Sequence, residues 1–227
     1  GGRIYGAGES CIIIDGVKEL FGSEHRIMPD RIVTVTYMAA AAVTGGNITL
    51  KDVDNTHILP MLSPFEESGC EVRQLGGALN IMAPRHLGAV RHIRTMPYPG
   101  FPTDMQPQIA AVLCLAQGTS VLTEGVWDNR YRYVGELTRM GAQIRVEGRS
   151  AVIEGVDHLT AASVQAYDLR AGAAMVIAAL AAEGTSEVSN VHYIERGYED
   201  IIGKLRNLGA QIDSVECDET VETRQIG

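Results

Sequence analysis

Three alanine-rich apolar stretches divide the chain into units of similar length. Each stretch follows an aspartate, and these aspartates are Asp30, Asp104 and Asp168. Each leads to a glycine, and these glycines, which are 72 and 66 residues apart, are Gly46, Gly118 and Gly184. Aspartate is a preferred N-cap and glycine a preferred C-terminal stop, so the pattern predicts three buried helices.

The same weaker signals follow each predicted helix. Short β-rich segments come first, at Asn47 to Leu50, Thr119 to Leu122 and Thr185 to Val188. A second, amphipathic helix then ends at Leu-Gly-Ala or Met-Gly-Ala, as at Glu136 to Met140 and Ile201 to Leu208. An alternating hairpin closes the unit, most clearly over Gln143 to Val156. In the first unit, Pro60 and Pro64 interrupt the second helix.

These repeats predict an α/β (α+β) domain with pseudo-three-fold symmetry, built from βαβαββ units with helices between sheets. The units cover about residues 30–100, 101–160 and 161–216, and residues 1–29 are the closing hairpin and linker of an earlier unit. The chain opens without Met, so we expect it to start inside one repeat and end inside another. The third repeat then lacks a hairpin strand and leaves an open sheet edge. We expect residues 12–29 to fold back onto that repeat, or to pair with another copy of the chain as a strand-swapped homo-oligomer.

Composition narrows the class of protein. A net charge of −9 and a pI near 5.1 argue against nucleic acid or an anionic membrane as the main partner. The longest apolar run, Ala171 to Ala182, is too short to span a bilayer. Neither the four scattered cysteines nor the six histidines have metal-ligand spacing. We therefore expect a reduced, cytoplasmic protein with no metal and no cofactor, and interpret Cys114, inside an apolar helix, as a core thiol.

The segment Tyr98 to Gln106 combines features that present a reactive group. Pro99, Gly100 and Pro102 stiffen and bend the chain before a predicted helix. Thr103 or Asp104 can cap that helix, and Gln106 stands where a capping box returns its hydrogen bond. Asp104 is thus either a carboxylate held at the start of a helix for chemistry or only a cap.

Arginines stand at predicted helix starts, where the helix dipole disfavours a cation. These arginines are Arg31, Arg130, Arg170 and Arg196. Because the repeats are related by symmetry, their helix starts should converge and form an anion site. Alternatively, each arginine pairs with a carboxylate one or two residues away. Trp127, the only tryptophan, could stack on a planar ligand or simply pack.

Several segments resemble one family of enzymes. They are PTDMQ (Pro102 to Gln106), Asp128 to Arg130, DLRAG (Asp168 to Gly172), and ERGYE with KLRNLGA (Glu195 to Ala210). In this order, over essentially the whole chain, they are similar to the UDP-N-acetylglucosamine enolpyruvyl transferases, or 1-carboxyvinyltransferases. The resemblance implies an inside-out α/β barrel of the enolpyruvyl transferase type and, since family members have two such domains, the C-terminal half only.

The resemblance also implies a reaction and its residues. The enolpyruvyl group of phosphoenolpyruvate would pass to the 3′-hydroxyl of UDP-N-acetylglucosamine with release of phosphate, the first committed step of peptidoglycan synthesis. Asp104 would be the catalytic base. The substrate-binding residues would be Thr103, Val126, Trp127, Arg130, Arg170 and Arg196.

The chain departs from the family pattern at several positions. Val33 and Val35 replace a usual carboxylate and glycine, and Tyr193 replaces a common histidine. The family's reactive cysteine and its lysine–asparagine pair belong to the N-terminal half and have no match here. A second hypothesis is therefore that the isolated chain is catalytically incompetent and binds anions or nucleotide weakly. A further alternative is a relative of 3-phosphoshikimate 1-carboxyvinyltransferase, which shares the fold and the reaction but lacks PTDMQ.

Overall fold

The computed structural model describes residues 1–215, and the C-terminal residues 216–227, including Cys217, lie outside this part. Among the residues described, no helix is both long and apolar enough to cross a membrane. The helices of residues 1–215 are α1 (Arg31–Thr44), α2 (Asn55–Glu67), α3 (Gln106–Leu113), α4 (Val134–Arg139), α5 (Leu169–Ala181), α6 (His192–Glu195) and α7 (Ile201–Asn207).

The strands form several small sheets. The strands of residues 1–215 are β1 (Arg3–Tyr5), β2 (Ile13–Asp15), β3 (Asn47–Lys51), β4 (Glu71–Gln74), β5 (Ala78–Met82), β6 (Leu87–Gly88), β7 (His92–Arg94), β8 (Ala116–Gln117), β9 (Thr119–Thr123), β10 (Gln143–Glu147), β11 (Ser150–Glu154), β12 (Leu159–Thr160), β13 (Ser163–Gln165), β14 (Ala182–Glu183) and β15 (Glu187–Ser189). The larger sheets have the strand orders β3-β5-β4 and β10-β11-β9-β7. Parallel pairs join successive repeats, because β7 pairs with β9 between the first and second repeats and β12 pairs with β14 between the second and third.

The predicted pseudo-three-fold α/β architecture is confirmed. Helices α1, α3 and α5 pack against one another at the centre of the molecule. Their alanines are buried, and small side chains allow helix axes to approach closely. The caps of α1 and α5 follow the prediction, since Asp30 Oδ1 accepts the N–H of Ile32 at 2.7 Å and Asp168 Oδ1 accepts that of Arg170 at 2.8 Å.

Some element boundaries differ from the predictions. In the second and third repeats a two-residue strand separates the central helix from its glycine, so Gly118 and Gly184 follow β8 and β14. Both glycines have φ above +100°, which favours a residue without Cβ. The strand predicted at Thr185 to Val188 is β15, Glu187–Ser189, whereas β3, β9 and the β10–β11 hairpin lie where predicted.

The prolines of α2 do not interrupt it. Pro60 and Pro64 lie inside one continuous helix, although each removes a backbone donor. The buried side chains of Ile58, Met61 and Phe65 anchor this helix to the core. Tertiary packing therefore outweighs the two missing hydrogen bonds.

The prediction that residues 12–29 fold back onto the third repeat is wrong. Strand β2 pairs with β1 in a local antiparallel hairpin, and residues 12–29 are exposed apart from the half-buried Val17. Residues 26–29 lie beside residues 52–55 of the first repeat. Pairing of β2 with β1 closes only a short loop, so it costs less conformational entropy than pairing with a strand that is distant in sequence. Pairing with another copy of the chain stays a prediction.

Candidate functional site

Asp104 does not cap a helix, contrary to the capping prediction. It lies in a 3-10 turn, Thr103–Met105, that leads into α3, and neither its side chain nor that of Thr103 makes a capping hydrogen bond. This turn supplies backbone acceptors for the first N–H groups, and Pro107 has none to donate. The predicted capping-box role of Gln106 is also wrong, because its side chain is fully buried and, within residues 1–215, has no hydrogen-bond partner.

The Asp104 carboxylate instead bridges two arginines from different elements. Arg170 Nη2 donates to Asp104 Oδ2 at 3.0 Å, and Arg130 Nη2 donates to Oδ1 at 3.4 Å. The arginine side chains are only 16% and 10% exposed, whereas that of Asp104 is 45% exposed. A carboxylate can accept about four hydrogen bonds, so Asp104 keeps acceptor capacity for a ligand.

The surroundings of Arg170 keep it charged. Burial alone lowers the pKa of Arg170, but the opposing effects of Tyr198 and Asp104 are larger in sum and raise it above its ordinary value. Arg130 supplies a second guanidinium group to the same carboxylate. Two guanidinium groups around one carboxylate leave a local excess of positive charge. Such a centre can bind an anion beside Asp104.

The alternative of purely local ion pairs is wrong for both arginines. Asp128 binds Arg149, and Asp168 caps α5. Arg130 and Arg170 instead bind Asp104, which is 26 and 66 residues away in sequence. This agrees with the prediction that arginines from different helix starts lie close together.

A cavity of about 250 Å³ lies against Asp104. Its lining residues are Arg31, Ile32, Met96, Pro97, Tyr98, Pro102, Thr103, Asp104 and Val126. The Arg31 guanidinium lies 5.2 Å from the centre of the Tyr98 ring. A larger cavity, about 540 Å³, lies beside residues 26–29 and has none of the predicted site residues in its walls. The smaller cavity is the candidate site because, of these two, it alone has Asp104 in its wall.

The remaining predicted site residues do not all line the cavity. Val126 lines the cavity, and Trp127 is 58% exposed with Arg130 over its ring at 5.7 Å. Arg196 is the C-cap residue of α6 and not at a helix start, so the dipole argument for it is wrong. It is exposed, and within residues 1–215 it has no ion pair with Asp104.

Sequence reasoning missed Glu124. This glutamate directly follows β9 and is 1% exposed, and its carboxylate accepts hydrogen bonds from the Thr103 hydroxyl and from the N–H groups of Val126 and Trp127. Its only sequence signal is a carboxylate at the end of an apolar strand, before a glycine.

The cysteines give a prediction about reactivity. Burial raises the pKa of the Cys114 thiol to about 12, and Cys70 is also buried, whereas Cys11 is exposed. Only the thiolate reacts with iodoacetamide. At pH 8 we expect Cys11 to be alkylated in the folded protein and Cys114 only after unfolding, as measured by peptide mass spectrometry. Equal labelling of the two in the folded chain would contradict the buried position of Cys114 at the C-terminal end of α3.

The family is shown by comparison with known proteins. The model of EPSP synthase (3-phosphoshikimate 1-carboxyvinyltransferase) matches residues 1–205. The protein named UDP-N-acetylglucosamine 1-carboxyvinyltransferase 2 of Caldanaerobacter subterraneus subsp. tengcongensis is 50% identical over 212 residues, which are 93% of this chain and 51% of that relative. The UDP-N-acetylglucosamine 1-carboxyvinyltransferase of Geotalea daltonii is 44% identical over 95% of this chain and 52% of its own length. The chain thus spans about half the length of these curated relatives.

Solved structures agree with this result. The enolpyruvyl transferase NikO from Streptomyces tendae superimposes with a TM-score of 0.78 at 27% identity, over 92% of this chain and 50% of that one. EPSP synthase from Acinetobacter baumannii, at 18% identity and a TM-score of 0.69, shows the same fold over 90% of this chain. The chain belongs to the EPSP synthase (3-phosphoshikimate 1-carboxyvinyltransferase) family of enolpyruvyl transferases.

Proposed function

We propose that this chain is the C-terminal half of an enzyme that transfers enolpyruvyl from phosphoenolpyruvate to the 3′-hydroxyl of UDP-N-acetylglucosamine. The observation that carries the proposal is the Asp104 carboxylate, which lies between Arg130 and Arg170 in a cavity wall. The names of the relatives at 44–50% identity support the sugar nucleotide as acceptor. This activity belongs to peptidoglycan synthesis in the cytoplasm.

The proposed roles follow from the geometry. The sugar oxygen forms a bond to C2 of phosphoenolpyruvate, and the bond from C2 to the phosphate oxygen breaks. Asp104 accepts the hydroxyl proton, which finally leaves with phosphate. Arg130 and Arg170 balance the charge of the phosphate and carboxylate groups near Asp104. Thr103, Val126 and Trp127 contact the sugar nucleotide.

Arg196 lies apart from the other residues that are proposed to bind the anion. Its exposed position at the end of α6 lies outside the Asp104 cluster, so it reaches the anion only if a segment moves on binding. We propose that the N-terminal half supplies the reactive cysteine and the lysine–asparagine pair, and that residues 1–29 are the hairpin and linker joining this half to the domain at residues 30–227.

The isolated chain is expected to release no phosphate from phosphoenolpyruvate and UDP-N-acetylglucosamine, because proton donation and closure need groups from both sides of a cleft. A coupled phosphate assay measures this, with 3-phosphoshikimate as the competing acceptor. Turnover by the chain alone that disappears in Asp104→Ala would overturn the half-site proposal. Turnover with 3-phosphoshikimate only would favour the alternative acceptor.

A further inference from the structure

Glu124 is a buried carboxylate that joins three segments of the site. Its Oε1 accepts hydrogen bonds from Thr95 Oγ1 at 2.7 Å, the N–H of Val126 at 2.8 Å and the N–H of Trp127 at 2.9 Å. Its Oε2 accepts the hydroxyl hydrogen of Thr103 at 3.0 Å. The partners belong to the end of β7, to the turn before α3 and to the segment after β9.

The Glu124 carboxylate is held by hydrogen bonds from uncharged groups. Within the part of the chain that the structure describes, Glu124 takes part in no salt bridge, and its four partners are neutral donors. A buried acidic group is costly unless hydrogen bonds replace its water. Fully satisfied buried networks of this kind hold their members in one arrangement. The members held here are the two cavity residues Thr103 and Val126, together with the neighbouring Trp127.

The network also determines the direction of the Thr103 hydroxyl. Because its hydrogen is directed to Glu124 Oε2, only lone pairs of Thr103 Oγ1 remain for a ligand in the cavity. The neighbouring Asp104 carboxylate is likewise an acceptor. The two residues therefore offer adjacent acceptors, which match ligand groups that carry a hydroxyl or amide hydrogen.

We propose that Glu124 is a positioning residue that fixes the Val126–Trp127 backbone and orients the Thr103 hydroxyl as an acceptor, so that the cavity selects a ligand with adjacent hydrogen-bond donors. The ligand part of this inference rests on the proposed function, with a sugar nucleotide as the donor-bearing ligand. The positioning part does not, because Trp127, the only tryptophan of the chain, reports on the segment without any ligand.

Three variants of the chain test the positioning part by Trp127 fluorescence anisotropy. Glu124→Ala removes all four acceptor contacts and is expected to lower the anisotropy. Glu124→Gln keeps one oxygen for the two N–H groups and is expected to retain it. Glu67→Ala is the matched control, since Glu67 Oε1 accepts the N–H of Arg91 at 2.8 Å beside the other end of β7. Wild-type anisotropy in a folded Glu124→Ala protein overturns the proposal.

The ligand part is tested by titration with UDP-N-acetylglucosamine, followed by NMR. In Glu124→Gln the new amide faces Thr103 and turns its hydroxyl into an acceptor of that amide, so the hydrogen points to the cavity. We expect affinity to fall about tenfold in Glu124→Gln and in Thr103→Val, and to stay unchanged in Glu67→Ala. Wild-type affinity in Glu124→Gln would overturn the claim that Glu124 orients the Thr103 hydroxyl as an acceptor. This variant tests that claim even if Glu124→Ala does not fold. No binding by the wild-type chain overturns the proposed ligand, while the anisotropy result still decides the positioning role.

Discussion

Replacing Asp104 with alanine is expected to lower the rate of enolpyruvyl transfer by at least about 100-fold and, at the same time, to raise the affinity of the chain for inorganic phosphate. Loss of a general base lowers a rate by roughly 10²–10⁴. The same change leaves the guanidinium groups of Arg130 and Arg170, 10% and 16% exposed, without their shared carboxylate. An anion can then replace the lost charge, so phosphate should bind about tenfold more tightly at low salt.

The transfer rate should fall while the phosphate affinity rises, whereas unfolding of the variant would lower both. Phosphate affinity is measured by calorimetry on the isolated chain, and rates by phosphate release from the assembled halves. Asp213→Ala is the control, because Asp213 pairs with the exposed Arg206 and lies in no wall of the candidate cavity. Phosphate binding that is unchanged or weaker in Asp104→Ala would mean that the arginines do not form the anion site.

Gly125→Ala is expected to displace the segment that carries Val126 and Trp127. A Cβ at this position would lie 2.2 Å from the backbone oxygen of Thr95, and the Gly125 N–H already donates to Thr95 Oγ1 at 2.8 Å. The backbone therefore has no room to yield without breaking the contacts around Glu124. We expect a loss of roughly 2–3 kcal/mol in the free energy of unfolding, together with loss of sugar-nucleotide binding.

Gly135→Ala is the matched control for this substitution. Gly135 is the second residue of α4, and a Cβ there meets no atom within 4 Å. Alanine is the better helix former, so this variant should gain about 0.5–1 kcal/mol and keep its ligand affinity. Urea unfolding of the two variants measures the difference. Equal stabilities would show that the close approach of Gly125 and Thr95 does not constrain the site.

Local signals in the sequence predicted most of the fold. Asp30 and Asp168 cap their helices, and the hairpin over β10 and β11 has the alternation that its residues indicate. The repeat also predicted that arginines from different helix starts lie near one another, and Arg130 and Arg170 both bind Asp104. These predictions succeeded because each depends on residues close in sequence or on a symmetry that the spacing reveals.

Three of the errors share a different cause, because each depends on partners distant in sequence. Asp104 has the setting of a cap, but its carboxylate binds Arg130 and Arg170 while a 3-10 turn serves the helix start. Core packing keeps α2 continuous through Pro60 and Pro64. Glu124 has partners 21 and 29 residues away in Thr103 and Thr95, and no periodicity indicates such a network.

The most direct measurement combines this chain with an N-terminal half taken from the Caldanaerobacter relative, which this chain matches over 51% of its length. Phosphate release is then followed with phosphoenolpyruvate and UDP-N-acetylglucosamine. We predict release that requires both halves and both substrates, and that falls at least 100-fold with Asp104→Ala. Release at the wild-type rate from the Asp104→Ala assembly, or none from the wild-type assembly, would contradict the assignment of Asp104 as the base of this reaction.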